Sequence, residues 1–255
     1  MPYFTCKNNS LYYREQGAGP LLLILPGNTA SSAAHQQDLD RFSPNFRTAA
    51  LDFLGTGLSD RIDPWPVDWW REGADQAAAL IAHLGYESAV LLGTSGGAVT
   101  ALLTAIHHPE KVRAVIADSF PEHFSSEMAE NNVVRERSEP VEEQIRFWQY
   151  MHGEDWQDVV DADTRMITGF AGIGGDCFAG ELPKVRCRVL ITGSREDTHI
   201  PRIEEQYRSM GRQIPHCEVF LNDAGQHPLM WSEPDVFYQL ADAFLEPFAL
   251  PHGET

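Results

Sequence analysis

Cysteine, basic side chains and long apolar runs are all scarce in this chain of 255 residues. Its four cysteines, Cys6, Cys177, Cys187 and Cys217, have no C-x-x-C spacing, so they read as ordinary thiols of a reducing compartment rather than a disulfide framework or a metal site. Lys and Arg number 19 against 37 Asp and Glu, a formal charge of −18. That balance repels polyanions and argues against nucleic acid and acidic membrane surfaces as partners. The longest strongly apolar run, Leu21 to Leu25, falls far short of the roughly 20 residues of a membrane helix. Met1 to Lys7 does not open a secretory signal, and a mature cytoplasmic protein is expected. What is present, 43% hydrophobic residues, supplies a sizeable core and excludes disorder.

Short apolar runs alternate with helical stretches. Tyr3 to Cys6 and Leu11 to Glu15 flank Asn8-Asn9 and predict a hairpin. After Leu21 to Leu25 come strands at Arg47 to Leu51, Ala89 to Leu92 and Ala114 to Ala117, interleaved with helices at Ala74 to Leu84 and Ala98 to His107. A second block holds strands at Arg188 to Thr192 and Cys217 to Leu221, with helices near Arg202 to Met210 and Pro234 to Phe244. Alternation of this kind predicts an α/β fold, a mostly parallel sheet with helices on both faces. The stretch 120–183 breaks the rhythm and reads as an insertion between core segments 1–119 and 184–255. Glu122 to Asp163 carries twelve acidic and three basic side chains, a net −9. It predicts either a solvated set of short helices or a cap with an acidic outer face. The inner face of such a cap would come from Phe147, Trp148, Tyr150, Met151, Trp156, Met166 and Phe170.

Gly93-Thr94-Ser95-Gly96-Gly97 follows an apolar strand and precedes an Ala- and Leu-rich helix. In that setting G-x-S-x-G is a nucleophile elbow: the serine takes a strained backbone conformation, and the positions two away must be small where strand and helix meet. A phosphate site at a helix N-terminus also uses a Gly-rich turn, but no dinucleotide-type third glycine or P-loop lysine accompanies this one. A serine hydroxyl needs a base, and the base an orienting acid. Asp197, in Gly193-Ser194-Arg195-Glu196-Asp197, and His227, in Gly225-Gln226-His227-Pro228, each stand just beyond a strand. His35 and His123 are further candidates for the pocket. Asp118, at the end of another strand, is the alternative acid.

These motifs together resemble the α/β-hydrolase superfamily over nearly the whole chain. Leu25-Pro26-Gly27-Asn28-Thr29-Ala30-Ser31-Ser32 resembles its oxyanion loop, Asp52 to Asp60 the segment after its fourth strand, and His227 to Pro234 its catalytic histidine loop. The resemblance implies the α/β-hydrolase fold with a helical cap after the sixth strand. It also implies Ser95, Asp197 and His227 as catalytic triad, and the backbone N–H groups of Asn28 and Gly96 as oxyanion hole. Pro26 departs from the histidine usual before the glycine of that loop. The Asn28 loop is also similar to that of haloalkane dehalogenases. Those enzymes and epoxide hydrolases attack carbon with Asp, however, and here the elbow residue is Ser95.

The expected activity is hydrolysis of a small or medium-sized uncharged carboxylic ester through an acyl-enzyme, with water as second substrate and neither cofactor nor metal. Lactone or carbon–carbon cleavage would use the same triad. Phe120, Trp148, Met151, Met230 and Trp231 are candidates for the pocket walls, although such side chains fit a plain core equally well. A monomer or homodimer is expected. The alternative is a ligand-binding signalling receptor of the same fold with slow turnover.

Overall fold

The computed structural model describes residues 2–250. Eight strands form one sheet in the order β1-β2-β4-β3-β5-β6-β7-β8. They are β1 (Tyr3–Cys6), β2 (Asn9–Gln16), β3 (Leu21–Leu25), β4 (Arg47–Leu51), β5 (Ala89–Thr94), β6 (Val112–Asp118), β7 (Arg188–Ser194) and β8 (Cys217–Asn222). β2 is antiparallel to both β1 and β4, and every pairing from β4 to β8 is parallel. The hairpin turn lies one residue earlier than expected. Lys7 and Asn8 carry the positive φ values and Cys6 pairs with Asn9, because a two-residue loop with left-handed conformation at both positions matches strand twist.

β3 is buried throughout, as its unbroken apolar run requires in a sheet covered on both faces. Leu21, Leu23 and Leu25 face one core layer; Leu22 and Ile24 face the other. α1 (Gln36–Phe42) packs on the second layer. α2 (Trp69–His83) and α3 (Gly96–His107) pack on the first. α2 starts five residues before the expected Ala74, because Trp69 and Trp70 are buried and extend its apolar face. Gly85, at φ +83°, ends that stretch in the left-handed region open to glycine.

Between β6 and β7 the chain forms the helices expected of an insertion: α4 (Ser126–Ala129), a π turn (Glu130–Val134), α5 (Arg135–Ser138), α6 (Glu142–His152) and α7 (Trp156–Gly172). α8 (Ile203–Gln213), α9 (Leu229–Ser232) and α10 (Pro234–Leu245) complete the fold, with α10 against the layer of α1. Among the described residues no helix is long and apolar enough to cross a membrane.

Candidate active site

The loops after β3, β5, β7 and β8 meet at the C-terminal edge of the sheet, where sites form in open α/β folds. Ser95 sits at φ 52° and ψ −123°, between β5 and α3. Its neighbours are held to glycine by contact. A Cβ on Gly97 would lie 1.9 Å from the Leu25 carbonyl oxygen, and one on Gly93 would lie 2.3 Å from that of Gly97. At Gly96 the neighbour is a side chain: a Cβ there would fall 1.6 Å from Asn28 Oδ1, which would have to move.

From this bend the Ser95 hydroxyl meets His227. Oγ lies 3.0 Å from Nε2, and Nδ1 of the same ring lies 2.8 Å from Asp197 Oδ2. With Nδ1–H donating to the carboxylate, Nε2 is left to accept from the serine. Asp197 is buried, and its other oxygen accepts the His199 backbone N–H at 2.9 Å. Asp118 stands elsewhere. It is buried beneath the loop, its oxygens accepting from Thr192 Oγ1 at 2.7 Å and the Met230 backbone N–H at 3.1 Å. Burial pushes its carboxyl up to about 6. It braces the histidine loop and makes no hydrogen bond to the imidazole.

The Asn28 loop runs alongside the serine; a Cβ on Gly27 would be 3.9 Å from Ser95 Oγ. Neither the Asn28 nor the Gly96 backbone N–H has an acceptor among the described residues. Where the resembling family places histidine and this chain has Pro26, the loop is held from other quarters. Asn28 Oδ1 accepts from Trp70 Nε1 at 3.0 Å, and Asn28 Nδ2 donates to Asp163 of α7. Ser32 N–H donates to the buried Asp52 at 2.6 Å. Three contacts come from α6: Trp148 Nε1 donates to Thr29 Oγ1 at 3.2 Å, His152 Nε2 donates to Thr29 O at 3.0 Å, and Met151 O accepts from Ser31 Oγ at 3.1 Å. Burial drives the His152 imidazole down to about 4, so it is neutral.

A cavity of about 440 Å³ opens over Ser95 and His227. Of the expected wall residues Trp148 and Trp231 line it. Phe120, Met151 and Met230 do not. Phe120 is fully buried against Phe178 and Tyr207, the Met151 sulfur accepts from Ser31 Oγ, and Met230 is buried next to Asp118. Phe147 faces the cavity, but Tyr150, expected beside it, points outward and is 68% exposed. His35 is buried against Asp38, and His123 pairs with Asp176 in an isolated bridge; neither reaches the cavity.

The structure also places residues that sequence reasoning had not singled out. His199 lies over His227 with ring centroids 4.9 Å apart. Its Nε2 is 3.3 Å from Glu136 Oε2, which raises the His199 pKa and lowers that of Glu136. Asn132 Nδ2 donates to the His199 carbonyl at 2.7 Å. Asn132 lies in the π turn, and such turns shift the register of a helix's side chains. Asp197, His199 and His227 bring potential metal-ligand atoms within 4.8 Å of one another, but the Asp197–His227 hydrogen bond commits two of them to each other.

A sequence profile described as the alpha/beta hydrolase family matches residues 22–240. The chain is similar to serine hydrolase BPHL of Mus musculus, 26% identical over 253 residues, covering 92% of this chain and 83% of that one. It is 37% identical over 118 residues to 2-(acetamidomethylene)succinate hydrolase of Mesorhizobium japonicum, a match over 46% of this chain and 42% of the relative. In three dimensions it resembles the enol-lactonase of Burkholderia xenovorans LB400, with TM-score 0.74, 18% identity and coverage of 96% of this chain and 100% of the other. The strand order, the strained serine between β5 and α3, and a profile match over most of the length agree: the chain belongs to the alpha/beta hydrolase family.

Proposed function

We propose that the protein is a serine hydrolase that cleaves small or medium-sized carboxylic esters through an acyl-enzyme. The observation that carries this reading is the relay from Ser95 Oγ to His227 Nε2 and from His227 Nδ1 to Asp197, opening onto the cavity. Ser95 attacks the carbonyl carbon as its proton passes to His227 Nε2. The carbonyl oxygen becomes an oxyanion that accepts hydrogen bonds from the Asn28 and Gly96 N–H groups, each worth about 3 kcal/mol. Collapse expels the alcohol, which takes the proton from His227. Water then attacks the acyl-enzyme by the same route, releasing the acid and restoring Ser95 Oγ–H.

Relatives of the chain include proteins named for a lactone, a haloalkane and an epoxide. An alkoxide at Ser95 suits acyl carbon, which supports the first of these chemistries over the other two. Four unpaired cysteines support a cytoplasmic setting. Steady turnover of p-nitrophenyl acetate and butyrate, abolished by Ser95→Ala, is the expected result. Near-zero turnover combined with ligand-dependent melting shifts would instead support a receptor.

A further inference from the structure

Arg137 of α5 lies on the cavity wall with its side chain 13% exposed, and the protein uses only part of its guanidinium. Nη1 donates to Asp163 Oδ2 at 2.7 Å and to Thr164 Oγ1 at 2.9 Å. Nε and Nη2 have no acceptor among the described residues, and neither is sealed from accessible space. This free edge carries the two parallel N–H groups that match the two oxygens of a carboxylate. Asp163 does not compete for it. That side chain is wholly buried, with one oxygen on Asn28 and the other on Arg137. The other charges on the wall, Glu136 and His199, face each other. Beyond them the cap lines the cavity with apolar groups, among them Phe124, Met128, Val133 and Phe147.

We propose that Arg137 is a substrate-binding residue, and that the substrate carries a carboxylate, separate from the scissile carbonyl, that docks on the Nε–Nη2 edge. The proposal rests on the reading of Ser95 as nucleophile and, in place of the uncharged ester expected from the sequence, gives the substrate a carboxylate. The net charge of the chain disfavours anions at long range, where salt screens it. Within the wall, the Nε–Nη2 edge of Arg137 offers two N–H donors that Asp163, paired through Nη1, does not occupy.

The test compares matched esters at neutral pH: p-nitrophenyl hydrogen glutarate against p-nitrophenyl valerate, and 4-acetoxybenzoate against phenyl acetate, which place the carboxylate on the acyl and the alcohol side respectively. In at least one pair the anionic ester should show a KM lower by roughly tenfold or more, the range of a bidentate charged contact. Arg137→Lys keeps a cation for Asp163 but lacks the fork, so it should collapse that ratio; Arg137→Gln should do so as well. Equal KM values within both pairs, or a ratio that survives in folded Arg137→Lys, would overturn the proposal while leaving the esterase reading intact. Titration of Ser95→Ala with the same esters separates the two ideas. Tighter, Arg137-dependent binding of the anionic ester without turnover by the wild type would retain the subsite and remove the esterase reading, and equal binding of both esters would remove the subsite.

Discussion

Asn28 in the loop after β3 and Asp163 on α7, 135 positions apart, are joined side chain to side chain, so an insertion helix holds the loop that runs beside Ser95. Asp163 is fully buried and also pairs with Arg137. Asp163→Ala therefore leaves a largely buried guanidinium without its counter-charge and should destabilise the fold by about 3 kcal/mol, with a fall in kcat as the Asn28 loop loosens. Asp163→Asn keeps an oxygen for Asn28 and should recover more of kcat than of stability. Chemical denaturation and ester kinetics on both variants check this; two variants with wild-type kcat would disconnect the loop from α7.

The two candidate acids separate cleanly. Asp197→Asn should lower kcat by about 10³ to 10⁴ fold, because the imidazole loses the partner that sets its tautomer. Asp118→Asn should retain most activity, since Asp118 bonds to Thr192 and Met230 rather than to His227. Kinetics of the pair on one p-nitrophenyl ester settle which carboxylate serves the base.

Gly97→Ala is expected to cost several kcal/mol or to prevent folding, given the 1.9 Å approach its Cβ would make to Leu25 O. Gly85→Ala, with nothing within 4 Å of the added Cβ, meets only the strain of its positive φ and should cost about 1 kcal/mol. Melting curves of the two variants compare a clash with a purely conformational penalty.

Stability should depend on pH through His152. The fold needs this ring neutral, with Nδ1 accepting from Gly57 N–H and Nε2–H donating to Thr29 O. Burial lowers its pKa from 6.5 to about 4. Between those values the unfolded chain binds a proton that the fold rejects. The contribution is therefore complete above pH 6.5 and lost as the pH falls toward 4, on the order of 3 kcal/mol in all. Asp118 acts with the opposite sign, its raised pKa of about 6 favouring the fold as pH drops. Only a comparison isolates His152: Tm measured from pH 7 to 4 should fall less steeply in His152→Gln than in the wild type.

The sheet, and the meeting of Ser95, His227 and Asp197 at its edge, were legible because their signals are local. Continuous apolar runs mark β3 and β5 through β7, and the glycines around Ser95 answer to contacts within a few residues. The wall of the cavity was not legible. Whether Phe120 packs on Tyr207 or faces a substrate depends on how the insertion folds over the sheet, and the same holds for Met151 and Met230. Arg137 and Asp163 lay hidden in a stretch whose acidic excess reads as surface charge. Their burial follows from tertiary pairing that no periodicity announces. His199, two residues from Asp197, is brought over His227 by the turn between β7 and α8.

The most direct measurement is incubation of the folded protein with a fluorophosphonate, followed by mass mapping of the adduct. A single modification on Ser95, absent in Ser95→Ala and strongly slowed in a His227→Gln variant, is the predicted result. A label on any other residue, or an active enzyme that takes up none, would contradict the proposed mechanism.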